Sequence, residues 1–395
     1  MHVKIQVIRG PHKGDEFVFE ETASFVVGRH RKSQFHLSRK DAFLSRFHFY
    51  IEVKPPHCLL VDLNSRNHTF VNGVQVDQVR LADGDRVQAG QTVFRVSISA
   101  AGEPRERPQF DDALPPAVPN YRIEGLLGVG SFGVVHLASD VRTGARVALK
   151  VLSSVIAGCP KSSAMFEREA GLLRRLKHPH IVDLYEVGRA EGRLFMVMEF
   201  VPGIDALHLA RPGDEPLAVG RAVDIACQAL EALGHAHKAG IVHRDVKPNN
   251  LLLSRVNRRD VVKIGDFGLA RIYQESSLSE MVLTEIGDAH GTLGFLPPEQ
   301  IENFHRVGPP ADQYGAAATL YYLLTGERPH DFPADTRESM RMLLEDDPVP
   351  IRDRRPEVPA GLAVAIDRAL ARDPDDRFDD VLALGRVLAP WAQPS

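Results

Sequence analysis

Residues 99 to 120, SAAGEPRERPQFDDALPPAVPN, are rich in Pro, Ala and charge and carry no apolar period, so they read as a semi-extended linker. This segment divides everything before it from everything after it. At roughly 150 residues per domain, a chain of 395 residues allows two or three folded units. One clear break makes two the working number.

Residues 1 to 98 form short alternating runs, FVFE at 17–20, FHFYIEV at 47–53 and TVFRVSI at 92–98, separated by Gly, Asn and Asp turns. With a hairpin signal at Asn72-Gly73, this spacing predicts an all-β sandwich. From Tyr121 onward strands come first and then amphipathic helical stretches near 164–177, 219–239, 312–325 and 360–371. A small β-rich lobe (121–198) followed by a larger helical lobe (202–391) is expected, giving a multidomain chain with an α+β bilobal second part.

Apolar residues at 44% and charged residues at 25% are ordinary for globular proteins. A net charge of −4 supplies no basic field of the kind nucleic-acid binders need, so no nucleic-acid partner is expected. Cys58, Cys159 and Cys227 are odd in number and widely spaced, which supports neither a disulfide framework nor a zinc site and fits a reducing, cytoplasmic setting. The opening MHVKIQVIRG alternates like a strand and lacks the apolar core of a signal peptide. The longest apolar stretch, Gly315 to Leu324, is about half the roughly 20 residues a membrane span requires, so none is expected.

Gly128-Val129-Gly130-Ser131-Phe132-Gly133 is a weak signal alone, because GxGxxG also opens dinucleotide-binding units. Its context differs: Val134 to Ala138 and Arg146 to Leu152 are strand-like and joined by a Thr143-Gly144 turn. Two strands enclosing a glycine loop suit a flap over nucleotide phosphates. Lys150, on the second strand, could reach a polyphosphate and needs a carboxylate to position it, Glu169 or alternatively Glu167.

Further along stand HRDVKPNN (243–250) and KIGDFGLA (263–270). In this order and spacing the motifs resemble the protein kinase family, specifically the bacterial, eukaryotic-like (Hanks-type) serine/threonine kinases, over residues 121 to 391. The resemblance implies ATP with Mg²⁺, or Mn²⁺ in its place, and Ser/Thr hydroxyls of proteins as acceptors. It makes Asp245 the residue that accepts or orients the hydroxyl proton, and Asn250 and Asp266 the metal ligands. Lys247 would lie near the transferred phosphate, and Lys150 and Glu169 would form the positioning pair. Gly128, Val129, Gly130, Ser131 and Gly133 would cover the phosphates. Val135 and Ala148 would cover the adenine, Met198 would be the gatekeeper, and the backbone of Glu199 to Val201 would bond the base. His243, Phe267, Leu173 and Leu184 would stack into a spine anchored by Asp312, and Glu299 would pair with Arg377. Phe295 and Pro297 depart from the usual tyrosine and alanine at sites away from the chemistry.

Between Asp266 and Glu299, Thr284 is where related kinases autophosphorylate, and Arg244 beside Asp245 could clamp its phosphate. Thr292 would line the substrate groove. The bland readings are that His235 and His237 lie at a helix end and in the core, that His178 and His180 belong to a turn, and that Arg258-Arg259-Asp260 is a solvated turn.

In the front part, Gly28-Arg29, Ser45-Arg46-Phe47-His48 and Ser65-Arg66-Asn67 precede Thr69 to Gly73. These segments resemble the forkhead-associated (FHA) family, an eleven-stranded sandwich that binds phosphothreonine peptides. By that resemblance Arg29 and Ser45 hold the phosphate, Arg46 and Arg66 add charge, Asn67 bonds the peptide backbone, and His48 braces the loop. His68 stands where that family usually has glycine. The linker offers no Ser or Thr between residues 100 and 120, so a phosphothreonine ligand must come from elsewhere. The expected function is a serine/threonine kinase with a phosphothreonine-reading module for substrate docking or autoregulation. The alternative is a phosphopeptide-binding scaffold with an inactive kinase fold.

Overall fold

The computed structural model describes the chain apart from residues 1, 20–22, 30–34, 37–40, 42–43, 46, 55–56, 64, 66, 77, 100–116, 131–132, 153–159, 211–214, 258, 268–292, 303–306, 334–335 and 394–395.

The front part is a sandwich of eleven strands among the described residues. They are β1 (His2–Arg9), β2 (Glu16–Phe19), β3 (Ala23–Gly28), β4 (Phe35–His36), β5 (Phe49–Lys54), β6 (His57–Asp62), β7 (Thr69–Val71), β8 (Val74–Val76), β9 (Gln78–Arg80), β10 (Arg86–Ala89) and β11 (Thr92–Ser99). One sheet runs β2-β1-β11-β10-β7-β8 and the other β4-β3-β5-β6-β9. The Asn72-Gly73 hairpin forms as expected: Val71 faces Val74 and both turn residues take positive φ, 52° and 85°. Val3, Ile5, Phe25, Val27, Phe49, Ile51, Phe94 and Val96 fill the space between the sheets.

The second part opens with β12 (Tyr121–Gly130), β13 (Gly133–Asp140), β14 (Arg146–Leu152), β15 (Leu184–Ala190) and β16 (Arg193–Glu199), in the order β12-β13-β14-β16-β15. Helix α1 (Pro160–Leu173) contacts β15. Below this lobe lie α2 (Val219–Lys238) and a small sheet of β17 (Ile204–Asp205), β18 (Leu251–Val256) and β19 (Arg259–Ile264). Then come α3 (Pro298–Glu302), α4 (Pro309–Thr325), α5 (Thr336–Glu345), α6 (Ile351–Arg354), α7 (Ala360–Ala369) and α8 (Val381–Leu388). Of these, α3, α5, α6 and α8 were not expected from the sequence. The α4 helix starts on Pro309-Pro310 and ends at Gly326, whose left-handed φ of 72° lets its N–H reach Tyr322 O. Every residue from Ala311 to Leu324 is buried, so it is a central rather than a surface helix.

The reading of Arg258-Arg259-Asp260 as a solvated turn fails at Asp260; Arg259 is exposed but lies on β19, and Arg258 lies outside the described residues. Asp260 is buried on β19 and receives Arg221 Nε at 2.6 Å and Arg255 Nε at 3.4 Å, an ion cluster that fixes α2 to the small sheet.

A separate apolar cluster joins the two parts. The outer face of the β3-β5-β6 sheet presents Val26, Tyr50, Leu59 and Val61, flanked by Phe47 and Leu63. These are buried in one cluster with Leu293, Ile301 of α3, and Met340, Leu343 and Leu344 of α5. The strands expected to alternate are therefore apolar on both faces, the pattern of a sheet covered on both sides. On burial alone the seam supplies several side chains at about 1.5–3 kcal/mol each.

Candidate active site and phosphate-reading loops

The register of the upper sheet builds one wall. Val135 faces Lys150, Leu137 faces Ala148, and Ala148 and Lys150 face Met198 and Met196. Directly opposed residues share a sheet face, so Val135, Ala148, Lys150 and Met198 all point to one side. Gly128 and Gly133 lie on β12 and β13, with Val129 and Gly130 in the strand between them and Ser131 outside the described residues. At Gly133 the φ of 137° and the close approach of the Val151 carbonyl exclude any Cβ. Glu199 closes the wall; its N–H donates to Asp183 O at 2.8 Å and its carboxylate pairs with Lys263 at 2.9 Å. Val201 follows it.

Lys150 is 3% exposed, and its Nζ meets Asp266 Oδ2 at 2.8 Å. Burial would push the Asp266 carboxyl up, but Lys150 outweighs it, helped by His243 and Lys247, and holds it below the usual carboxylate value. Glu169 is buried on α1, while the side chain of Glu167 lies outside the described residues.

The loop before β18 hangs from α4. Asp312 accepts the backbone N–H groups of His243 (2.8 Å) and Arg244 (2.7 Å) and meets His237 Nε2 at 2.7 Å. The His243 ring accepts Asp245 N–H on Nδ1 at 3.2 Å, so its proton sits on Nε2 and is donated to Gly265 O at 2.8 Å. Its edge packs on Phe267, with ring centroids 4.5 Å apart. Leu173 and Leu184 line the small cavity beside Phe267, Met198 and Asp266, so the four residues expected to form the spine come together with Met198. Arg244 and Asp266 hold left-handed φ values of 67° and 58°, an uncommon conformation for such residues and one that clusters at functional sites.

Asp245 Oδ2 lies between Lys247 Nζ at 3.0 Å and Asn250 Nδ2 at 3.0 Å. Asn250 Nδ2 also donates to Asp245 O at 2.7 Å, so the amide nitrogen is committed and the amide oxygen is left to ligate. The oxygens of Asn250 and Asp266 fit Mg²⁺, a hard ion that keeps water and phosphate ligands. Among the described residues no three His, Cys, Asp or Glu side chains converge on one point.

Glu299 and Arg377 form a bidentate pair at 2.7 and 2.8 Å, with Arg377 wholly buried against the Tyr314 ring. Two supporting residues escaped the sequence reading. Gln300 donates to Arg244 O at 2.9 Å, and Gly315 lies where a Cβ would meet Val246 O at 2.6 Å. The signal for Gly315 was a glycine inside a helical pattern. Thr284 and Thr292 lie outside the described residues. His178 stacks on His235 with centroids 5.0 Å apart, which agrees with the bland reading.

In the sandwich, Arg29 directly follows β3, is exposed, and its N–H donates to Ser45 O at 3.1 Å, which brings these two together. His48 is buried behind them: Ser45 N–H donates to its Nδ1 at 3.0 Å, and its Nε2 lies 3.1 Å from Ser65 Oγ and 3.2 Å from His68 O. Ser65 Oγ in turn donates to Asp62 at 2.9 Å. His48 thus braces the loop from below, and burial lowers its pKa against the pull of Asp62. His68 takes φ 55°, the left-handed conformation that glycine would adopt freely, at a cost of about 1–2 kcal/mol. Exposed Asn67 precedes it; Arg46 and Arg66 lie outside the described residues.

Residues 121–382 match the family model described as the protein kinase domain, and residues 25–90 match that of the FHA domain. The chain is 38% identical over 261 residues to the serine/threonine-protein kinase pkn3 of Myxococcus xanthus, covering 65% of this chain and 47% of that protein. It is 37% identical over 263 residues to the serine/threonine-protein kinase PknB of Mycolicibacterium smegmatis, covering 65% and 40%. The chain thus spans less than half the length of these relatives. The crystal structure of the Mycobacterium tuberculosis PknI kinase domain superposes with a TM-score of 0.56 at 30% identity, covering 71% of this chain and 100% of that one. With its catalytic-loop geometry and the match over residues 121–382, the chain carries an FHA domain at its front and belongs to the protein kinase family.

Proposed function

We propose that this chain is a Hanks-type serine/threonine kinase that transfers the γ-phosphoryl group of ATP to Ser or Thr hydroxyls of proteins, and that its FHA domain reads phosphothreonine. The observation that carries this is Asp245, whose carboxylate is held between Lys247 and Asn250 while Asp266 is drawn to Lys150.

In the reaction the hydroxyl oxygen forms a bond to the γ-phosphorus, the bond from that phosphorus to the β–γ bridging oxygen breaks, and its electron pair leaves with ADP. Asp245 orients the hydroxyl and takes its proton. Lys247 neutralises charge on the transferred group, and Lys150 leaves Asp266 to meet the phosphates, positioned by Glu169. Asn250 and Asp266 would hold Mg²⁺, or Mn²⁺, which neutralises phosphate charge when bound. Gly128 to Gly133 cover the phosphates, Val135 and Ala148 cover the adenine, and the Glu199 carbonyl and Val201 N–H bond the base beside Met198.

Arg29 and Ser45 would hold the phosphate of a phosphothreonine peptide, with Arg46 and Arg66 adding charge and Asn67 bonding the peptide backbone. Activation by autophosphorylation at Thr284, clamped by Arg244, completes the reading. Among the described residues no helix is long and apolar enough to cross a membrane; the cysteine usage supports a cytoplasmic setting.

The test is autophosphorylation of purified protein with Mg-ATP, mapped by mass spectrometry, with Asp245→Asn as control. Transfer to Thr284 in the wild type and a loss of at least a hundredfold in the variant are expected. Bound nucleotide without transfer, to itself or to general protein substrates, would return the chain to a phosphopeptide-binding scaffold.

A further inference from the structure

Two sites described separately above share one wall. On the FHA side, Val26 lies three residues before Arg29, and Phe47 two residues after Ser45. Both are buried in the seam, which holds the phosphate-reading end of the sandwich against the kinase. On the kinase side, Leu296 packs against that same seam. Leu296 also lines a small cavity with Arg244, Asp245 and Phe295. The passage from Arg29 to Asp245 therefore crosses three residues of strand, one packed layer and one cavity. At ~3.3 Å per residue and ~10 Å per layer the two sites lie within about 25 Å of each other, a span that about eight residues of extended peptide cover.

The seam is also stiff. Val26 and Leu63 are 0% exposed, and Leu343 and Leu344 only 1%. A flexible tether would present a docked peptide to Asp245 in all directions, whereas a packed seam fixes one distance. Holding a substrate at that distance raises its effective concentration at the acceptor site to the millimolar range.

We propose that the substrates this kinase prefers are proteins already phosphorylated on threonine: Arg29 and Ser45 hold the first phosphate while an acceptor Ser or Thr about six to ten residues away reaches Asp245. This rests on the reading of both domains given above and names the substrate class it left open. The seam is what sets the spacing, so substrate choice depends on residues that touch neither phosphate.

The experiment uses the full chain and a series of peptides with one acceptor Ser, each made with phosphothreonine or plain threonine at 3 to 20 residues (about 10 to 65 Å extended) on either side. The readout is the ratio of primed to unprimed kcat/KM. The expected result is a ratio of at least ten, carried by KM and confined to a window near eight residues on one side. In Arg29→Ala the ratio should collapse toward one at every spacing. In Leu343→Asp, or the milder Tyr50→Ala should Leu343→Asp not fold, the window should broaden or vanish.

A ratio near one at all spacings, in wild-type protein that binds the phosphopeptides by fluorescence anisotropy and phosphorylates the plain ones, overturns the priming proposal and leaves the two domain assignments standing. Failure to bind any phosphothreonine peptide removes the reading of the module itself, and the proposal with it. Equal stimulation of a plain peptide by a separate phosphopeptide overturns priming in favour of phosphopeptide acting on the kinase through the seam.

Discussion

Gln300 donates its side-chain amide to the carbonyl oxygen of Arg244 at 2.9 Å, and so ties the short helix that meets the FHA domain to the loop that carries Asp245. Arg244 N–H is held from the other side by Asp312 at 2.7 Å, so this left-handed residue is pinned at both ends of its backbone.

Gln300→Leu removes one of the two pins, and the loss of one partner from a buried hydrogen bond costs about 1–3 kcal/mol. Because the strain falls one residue from Asp245, kcat for peptide phosphorylation should drop about tenfold, each ~1.4 kcal/mol being a factor of ten. The KM for ATP should change less than about twofold. Steady-state kinetics with ATP and peptide varied separately checks this, and an unchanged kcat would show that Asp312 suffices.

Glu299→Ala leaves the guanidinium of Arg377, buried against Tyr314, without its carboxylate and bonded to the backbone carbonyls of Ala371, Pro310 and Arg372. Breaking such a pair costs about 3–5 kcal/mol, so thermal unfolding of the kinase domain should fall by on the order of 10 °C. Glu299→Gln keeps hydrogen-bonding capacity and should lose less. A melting curve within about 1 °C of wild type for the alanine variant would contradict the strut.

Gly315→Ala places a methyl group where the Val246 carbonyl lies 2.6 Å away. Helix propensity alone predicts a gain of about 1 kcal/mol from this change. Overpacking against a buried loop predicts a loss of about 1–3 kcal/mol, and the structure favours the loss. Urea denaturation gives the sign, and the loss of activity should exceed what the stability change explains, since Val246 adjoins Asp245.

Acid should weaken the fold before the carboxylates titrate. Burial pushes His330 down to about 4 from an ordinary value of 6.5, against the pull of Asp346, Asp347 and Asp331. Its folded pKa is depressed, so the unfolded chain binds the proton first as pH falls through 6.5. Stability is therefore lost progressively between pH 6.5 and about 4, on the order of 3 kcal/mol from this group. His48 is shifted the same way by burial. His330→Gln should flatten the slope of unfolding free energy against pH in that window.

The catalytic half of the molecule was legible because phosphoryl transfer places its groups in short contiguous runs. HRDVKPNN alone carries Asp245, Lys247 and Asn250, and the structure brings them within hydrogen-bonding distance. Long-range partners were legible only through the family pattern, as with Glu299 and Arg377. The seam was not, because Val26, Tyr50, Leu59 and Val61 look like strand residues of any kind until a second domain is seen to cover them. Helix α5 was missed for the same reason: Met340, Leu343 and Leu344 make an apolar face whose partners lie about 280 to 320 residues earlier in the chain. Asp260 was misread because a charged triplet suggests solvent, whereas Arg221, from a distant helix, makes its burial tolerable. His68 shows the converse: a departure in sequence at which histidine holds a left-handed backbone that glycine would adopt freely.

The suspension of the Asp245 loop from Asp312 has a consequence for how variants of this chain are interpreted. Asp312 sits on a helix buried along its length, so the position of Asp245 is inherited from how well Tyr314, Leu320, Tyr321 and their neighbours fit. A conservative change deep in that helix, touching no ligand, will present at the bench as an inactive kinase. Loss of phosphorylation is therefore no guide, by itself, to which residues meet the substrate.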